Sequence, residues 1–204
     1  MVAPLAPWVF GSVSVAVVYL PGLVVARLGG YALLFATLVT LLTAAAGIIA
    51  VPVARRWSGE RSPLAGALGL VTAGLLVAAG AAATVSPALV LVAAVVLGAG
   101  YGCCQVCGLN EVARLAAPER LAGTTAAYQA LSYLGFVVAL PLAALRTWVA
   151  PPILLLGLAV GALGTLGATT RSAASAAPIP AAQRPVQTRR NGRSRPVQRS
   201  SSRR

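Results

Sequence analysis

The sequence predicts an all-α polytopic membrane protein of six transmembrane helices, and three observations predict it. Of 204 residues, 58% are hydrophobic and only 9% charged, where a soluble domain carries about 45–50% apolar and roughly 25% charged residues. Long apolar runs recur along the first 170 positions, each able to cross about 30 Å of hydrocarbon as a helix. The charges between the runs are mostly arginine, and these crowd into alternate loops.

The spans follow in order. The first is read over 7–26, opened by Pro7 and closed before Arg27, and the second over 30–54, between Gly29-Gly30 and the Arg55-Arg56 pair. The third runs over 63–84 and the fourth over 87–109, each opened by a proline, which suits a first helical position. The fifth is read over 122–145, between Arg120 and Arg146, and the sixth over 149–169, before Arg171. The connections are short, and residues 1–170 leave nothing over for a domain outside the bundle. No secretory signal is read at the N-terminus: the opening residues carry no basic group, and the apolar run has no A-x-A-like cleavage site.

Arginine in short loops stays on the cytoplasmic side. The second loop holds Arg55, Arg56 and Arg61, the fourth holds Arg114 and Arg120, and nine more arginines lie in residues 171–204. The first and fifth loops carry only Arg27 and Arg146, and the third carries no charge. An even number of spans with both termini cytoplasmic fits this split. Trp8, Trp57 and Trp148 fall near expected span ends, where indole rings favour the headgroup region. Residues 171–204, rich in Arg, Pro and Ser and free of acids, bury too little surface to offset the entropy of ordering and are read as a disordered tail. Such a tail is a solvated positive-inside extension or a contact for anionic lipid; lacking aromatic rings for base stacking, it is a poor nucleic-acid binder.

The composition also excludes chemistry. With no His, Asp or Lys anywhere in the chain, a Ser-His-Asp triad, a His-ligated zinc site and an aspartic dyad are ruled out, and no enzyme activity, metal or cofactor is predicted. Cys103, Cys104 and Cys107 include a C-x-x-C spacing, but no His or Asp supplies a further ligand, and they read as small buried residues. The Gly98-Ala-Gly100-Tyr-Gly102 run has no preceding strand to make it a dinucleotide loop. Its glycines four apart, like Gly157 and Gly161, are expected to bring helix backbones close. Pro21, Pro52 and Pro141 each remove a backbone donor, and kinks are expected there.

Polar side chains divide the spans. The third and sixth are nearly bare, while the first carries Ser12, Ser14 and Tyr19, and the second Tyr31, Thr37, Thr40 and Thr43. The fourth has Tyr101 and Gln105, and the fifth Thr124, Thr125, Tyr128, Gln129, Ser132 and Tyr133. Tyr101 with Gln105, and Gln129 with Tyr133, stand four apart and share helix faces. Those faces line a polar path, or they hydrogen-bond between helices. Glu111 and Arg114, three apart just beyond the fourth span, form an interfacial pair or a gate latch. No carboxylate lies mid-span, so no proton relay is predicted.

Certain stretches resemble a known family. The second span through Gly47 and Pro52 into Arg55-Arg56 is similar to the C-terminal half of a twelve-helix transporter of the major facilitator superfamily (MFS), bacterial efflux type. So, more specifically, are Gly98-Ala-Gly-Tyr-Gly, Asn110-Glu-Val-Ala-Arg-Leu-Ala, Pro118-Glu-Arg, Gly123 and Tyr128-Gln-Ala-Leu-Ser-Tyr-Leu-Gly-Phe136. The resemblance spans residues 5–170. It implies transport of a small solute by alternating access in a bacterial plasma membrane, with the first, second, fourth and fifth helices lining a cavity. Tyr101, Gln105, Gln129 and Tyr133 are then the solute-pathway candidates, and Arg55, Arg56, Glu111 and Arg114 the cytoplasmic-gate candidates. The family's acidic residue before the basic loop is missing here. Partners implied are membrane lipid, an unidentified small solute, and an N-terminal half or second copy, since the family's path lies between two halves. Met1 is the only methionine, and the chain reads as a fragment of a longer one. The alternative function is a non-transporting assembly or anionic-lipid module acting through its basic tail.

Overall fold

The structure, a computed structural model, describes residues 6–57 and 63–175. Backbone N–H and C=O groups in apolar runs need internal partners, and helices supply them in every run. Helix α1 (Ala6–Ser14) continues through a π-helical turn (Val15–Tyr19) into α2 (Leu20–Leu28), and a 3-10 turn (Gly29–Tyr31) leads into α3 (Ala32–Trp57). Then come α4 (Pro63–Thr84), α5 (Pro87–Leu115), a 3-10 turn (Pro118–Arg120), α6 (Leu121–Tyr133), a 3-10 stretch (Leu134–Val138), α7 (Ala139–Leu145) and α8 (Pro151–Ser175). Among the described residues there is no strand.

Five helical stretches among the described residues are long and apolar enough to cross a membrane. The first, Ala6–Arg56, is 51 residues long and folds back on itself, because α2 and the π turn pack against α3. Two spans were expected here. They merge because the connection is itself a 3-10 turn, with the reversal at Gly29, whose φ of 51° suits a residue without a Cβ.

Two ends move outward. α5 runs on to Leu115 and carries Glu111 and Arg114 on the helix rather than beyond it. Polarity does not stop this helix: it ends where Ala116 turns extended at ψ 135°, and Ala117 follows at ψ 145°, as the residue before proline prefers. At its start, Pro87 takes the first position while the Ser86 hydroxyl accepts from the Leu89 N–H at 3.5 Å, a serine N-cap. α8 likewise continues through Arg171 to Ser175, so the tail begins five residues later than its composition implies; Ala173 and Ala174 favour helix. The remainder of that tail, residues 176–204, lies outside the described residues.

α5 is the hub. It packs against α1, α3, α4 and α6, while α8 packs on α4. Small residues permit this. A methyl group at Gly98 would strike the Thr43 carbonyl, and one at Gly102 the Gly47 carbonyl, so α3 and α5 touch backbone to backbone, side by side and parallel. On its other side, Gly100 receives Val71, and Leu97 fills the gap at Gly74 of α4. Gly157 and Gly161 behave differently from expectation: nothing lies within 4 Å of Gly157, and Gly161 faces the Trp8 ring at 3.3 Å. There a side chain, not a second backbone, fills the space.

The prolines sort in the same way. Pro21 and Pro141 leave the carbonyls of Val17 and Val137 without their usual donor, and each sits just past an irregular stretch, Val15–Tyr19 and Leu134–Val138. α3 passes through Pro52 without a break in helix. Trp8 is not left for the headgroup region: its indole N–H donates to the Thr165 hydroxyl at 3.0 Å, joining the first helix to the last. Trp148, in the turn before α8, is 89% exposed.

Candidate functional site

α5 presents Tyr101 and Gln105 on one face, and α6 presents Gln129 and Tyr133. The structure brings these faces together. The Gln105 amide donates through Nε2 to Gln129 Oε1 at 2.9 Å, while Gln105 Oε1 is buried without a protein partner. An acceptor left bare in an apolar setting costs about 1–3 kcal/mol, so this amide pair is a polar spot held inside the α5–α6 contact.

The tyrosines do not touch each other; both pack on Phe10 of α1. Phe10 stacks on Tyr133 with ring centroids 4.8 Å apart and planes 10° from parallel. It lies 5.6 Å from Tyr101 at 45° and 4.8 Å from Phe136. Tyr133 and Phe136 are 6.3 Å apart and lie three positions apart on one face. Tyr133 is 56% exposed and Phe136 43%, so the cluster forms an open aromatic wall with an amide pair beside it. Next to it is a cavity of about 220 Å³ bordered by Phe10, Val13, Val17, Thr40, Thr43, Ala44 and Tyr101.

Phe10 and Phe136 were not among the expected site residues. The available signal was scarcity: the chain has three Phe, and Phe136 falls on the Gln129–Tyr133 face. Most Ser and Thr residues are turned inward to their own helices. Ser12 donates to the Val9 carbonyl, Thr37 to Leu33, Thr40 to Ala36, Thr43 to Val39 and Ser132 to Tyr128. Such back-bonding uses up the hydroxyl proton of each, while Thr40 and Thr43 still border the cavity. Ser14 shares its hydroxyl proton between the Gly11 carbonyl of its own helix at 2.9 Å and the Gly135 carbonyl at 3.3 Å, where a methyl group on Gly135 would strike the Pro7 carbonyl. Tyr128 is buried, its ring lodged over Gly108 and its hydroxyl donating to the Cys104 carbonyl at 3.4 Å. Tyr19 is buried with an unpartnered hydroxyl.

The gate candidates share one end of the bundle. Arg55 and Arg56 are exposed in the last turn of α3, and the α3–α5 register places them level with the Glu111 turn. Arg114 meets Glu111 at 4.0 Å, with side chains 72% and 31% exposed. That pair ties α5 to itself and joins no second element, and exposed pairs of this kind contribute about 0–1 kcal/mol. Cys103, Cys104 and Cys107 are buried free thiols, and no metal-holding cluster of His, Cys, Asp or Glu occurs among the described residues.

No protein-family model, curated protein or solved structure matches the chain.

Proposed function

We propose that the chain is a six-span, half-sized unit of an alternating-access membrane transporter resembling the MFS, with both termini cytoplasmic, and that it moves a small aromatic or apolar solute. The observation that carries this reading is the convergence of Phe10, Tyr101, Tyr133 and Phe136 beside the Gln105–Gln129 pair. Helices α4 and α8 contribute nothing to that wall. Stacking on such rings contributes about 0.5–1.5 kcal/mol per pair.

The test uses sealed vesicles containing the full chain with Cys103, Cys104 and Cys107 replaced by Ala. Tyr101→Cys, Gln105→Cys and Tyr133→Cys are expected to react with a membrane-impermeant maleimide, and Leu76→Cys on α4 is not. Equal protection at all four positions would remove the path.

A second reading is favoured by the nine arginines of residues 171–204, which suit an anionic-lipid module at about 1 kcal/mol per charge. Deleting residues 176–204 separates the two readings. Under the transport reading, maleimide access is unchanged; under the other, adhesion to phosphatidylglycerol vesicles is the function and is lost.

A further inference from the structure

At the basic end of the bundle, where α5 stops and α6 begins, a cleft of about 540 Å³ opens between Val112, Leu115, Ala127 and Leu131, with Arg120 at its mouth. Ligand sites typically occupy about 300–1,000 Å³. The walls are apolar, and Leu115 and Leu131 stand exposed, so a wholly polar ligand finds little to hold. The mouth is cationic. Among the described residues no carboxylate lies within ion-pair distance of Arg120.

Depth fixes the rest of the shape. From Arg120 to Leu131 the cleft follows α6 for about 16 Å at 1.5 Å per residue, half of the ~30 Å hydrocarbon thickness and so the depth of one leaflet. The cleft is also separate from the aromatic wall: Ala127 and Leu131 point roughly 160° around α6 from Gln129 and Tyr133.

We propose that this cleft binds an acyl lipid with an anionic headgroup, its chain lying along Ala127 and Leu131 and its headgroup on Arg120. The charge supplies selection and the apolar walls supply affinity, at about 0.8 kcal/mol for each methylene buried. The site rests on the membrane-spanning reading and is independent of the solute path.

The experiment measures binding of the fluorescent fatty acid cis-parinarate to the full chain in neutral maltoside micelles. Salt is held at about 0.5 M, where the Debye length of roughly 4 Å screens the arginine tail. Saturable binding is expected, displaced by oleate or phosphatidylglycerol and not by phosphatidylcholine. Displacement by oleate alone names a free fatty acid; displacement by phosphatidylglycerol names a bilayer lipid. Arg120→Gln is expected to weaken binding about tenfold, Arg114→Gln by less than about twofold, and Ala127→Trp, which fills the cleft, to abolish it in protein that still elutes as one species. Displacement by phosphatidylcholine as strong as by the anions, equal losses for Arg114→Gln and Arg120→Gln, or intact binding in Ala127→Trp and Leu131→Trp would each overturn the site. Dispersal of the chain as a folded monomer without detergent would instead sink the membrane reading, a separate result.

Discussion

The α3–α4–α5 side of the molecule and the arms formed by α1–α2 and α6–α7 are built by opposite rules. On the first side the helices are regular and meet at glycine, with Gly98 and Gly102 seated on the backbone of α3 and Gly100 and Gly74 interlocked with α4. In the arms, each helix is interrupted once, by a π turn or a 3-10 stretch, just ahead of a proline. Close backbone contact leaves little room to shift, because an interior packed this densely has low compressibility. An interrupted hydrogen-bond ladder leaves a place to bend. The aromatic wall and the amide pair lie where the two constructions meet, with Tyr101 and Gln105 on the rigid α5 and Phe10, Gln129, Tyr133 and Phe136 on the arms.

That contrast breaks most severely at the glycine seam. Gly98→Leu is expected to cost about 3 kcal/mol or more, since the new side chain meets backbone that cannot give way. Gly157→Leu, in open space, is expected to stay within about 0.5 kcal/mol. Unfolding of both variants in detergent, followed by far-UV circular dichroism, reads the difference; equal midpoints would erase the seam's special status. A smaller effect is expected where the two regions join. Gln105→Leu strands the Gln129 amide and costs about 1 kcal/mol, while Gln105→Leu combined with Gln129→Leu recovers most of it in the same assay. Costs that merely add would mean the pair carries no coupling.

In the arms, Pro141→Ala restores a donor for the Val137 carbonyl. Amide exchange over residues 134–141 is expected to slow while global stability changes by less than about 1 kcal/mol. Unchanged exchange would show that the 3-10 stretch is imposed by packing on α1 and not by the proline. The smallest effect concerns Val85, a β-branched residue at φ 49° between α4 and α5. Val85→Asn, which tolerates the left-handed region, is expected to gain about 0.5–1 kcal/mol, seen as a raised midpoint.

The all-helical class was legible in composition, because 58% apolar residues with so few charges leave the backbone no partner but itself. Helix limits were legible only where polarity and helix propensity end together. They parted at Leu109, where Asn110-Glu111 ends the apolar run but not the helix, and at Leu28–Ala32, where a turn strong enough to reverse the chain is still helical. In the site, the Gln105–Gln129 contact followed from two faces, each defined by residues four apart. Phe10 and Phe136 were not legible there, because a ring that acts by stacking carries no polar mark in the sequence. Ser12, Thr43 and Ser132 looked available in the sequence, which does not show that a hydroxyl has already bonded to the turn behind it.

The Trp8–Thr165 hydrogen bond spans 157 positions, and this separation orders events during synthesis. At about 5–20 residues per second, the ribosome needs on the order of 10–30 s after making Trp8 before Thr165 exists. Throughout that interval the leading helix is without its final neighbour, and a chain stalled before α8 would present the indole of Trp8, with its N–H unsatisfied, to whatever chaperone or lipid stands beside it.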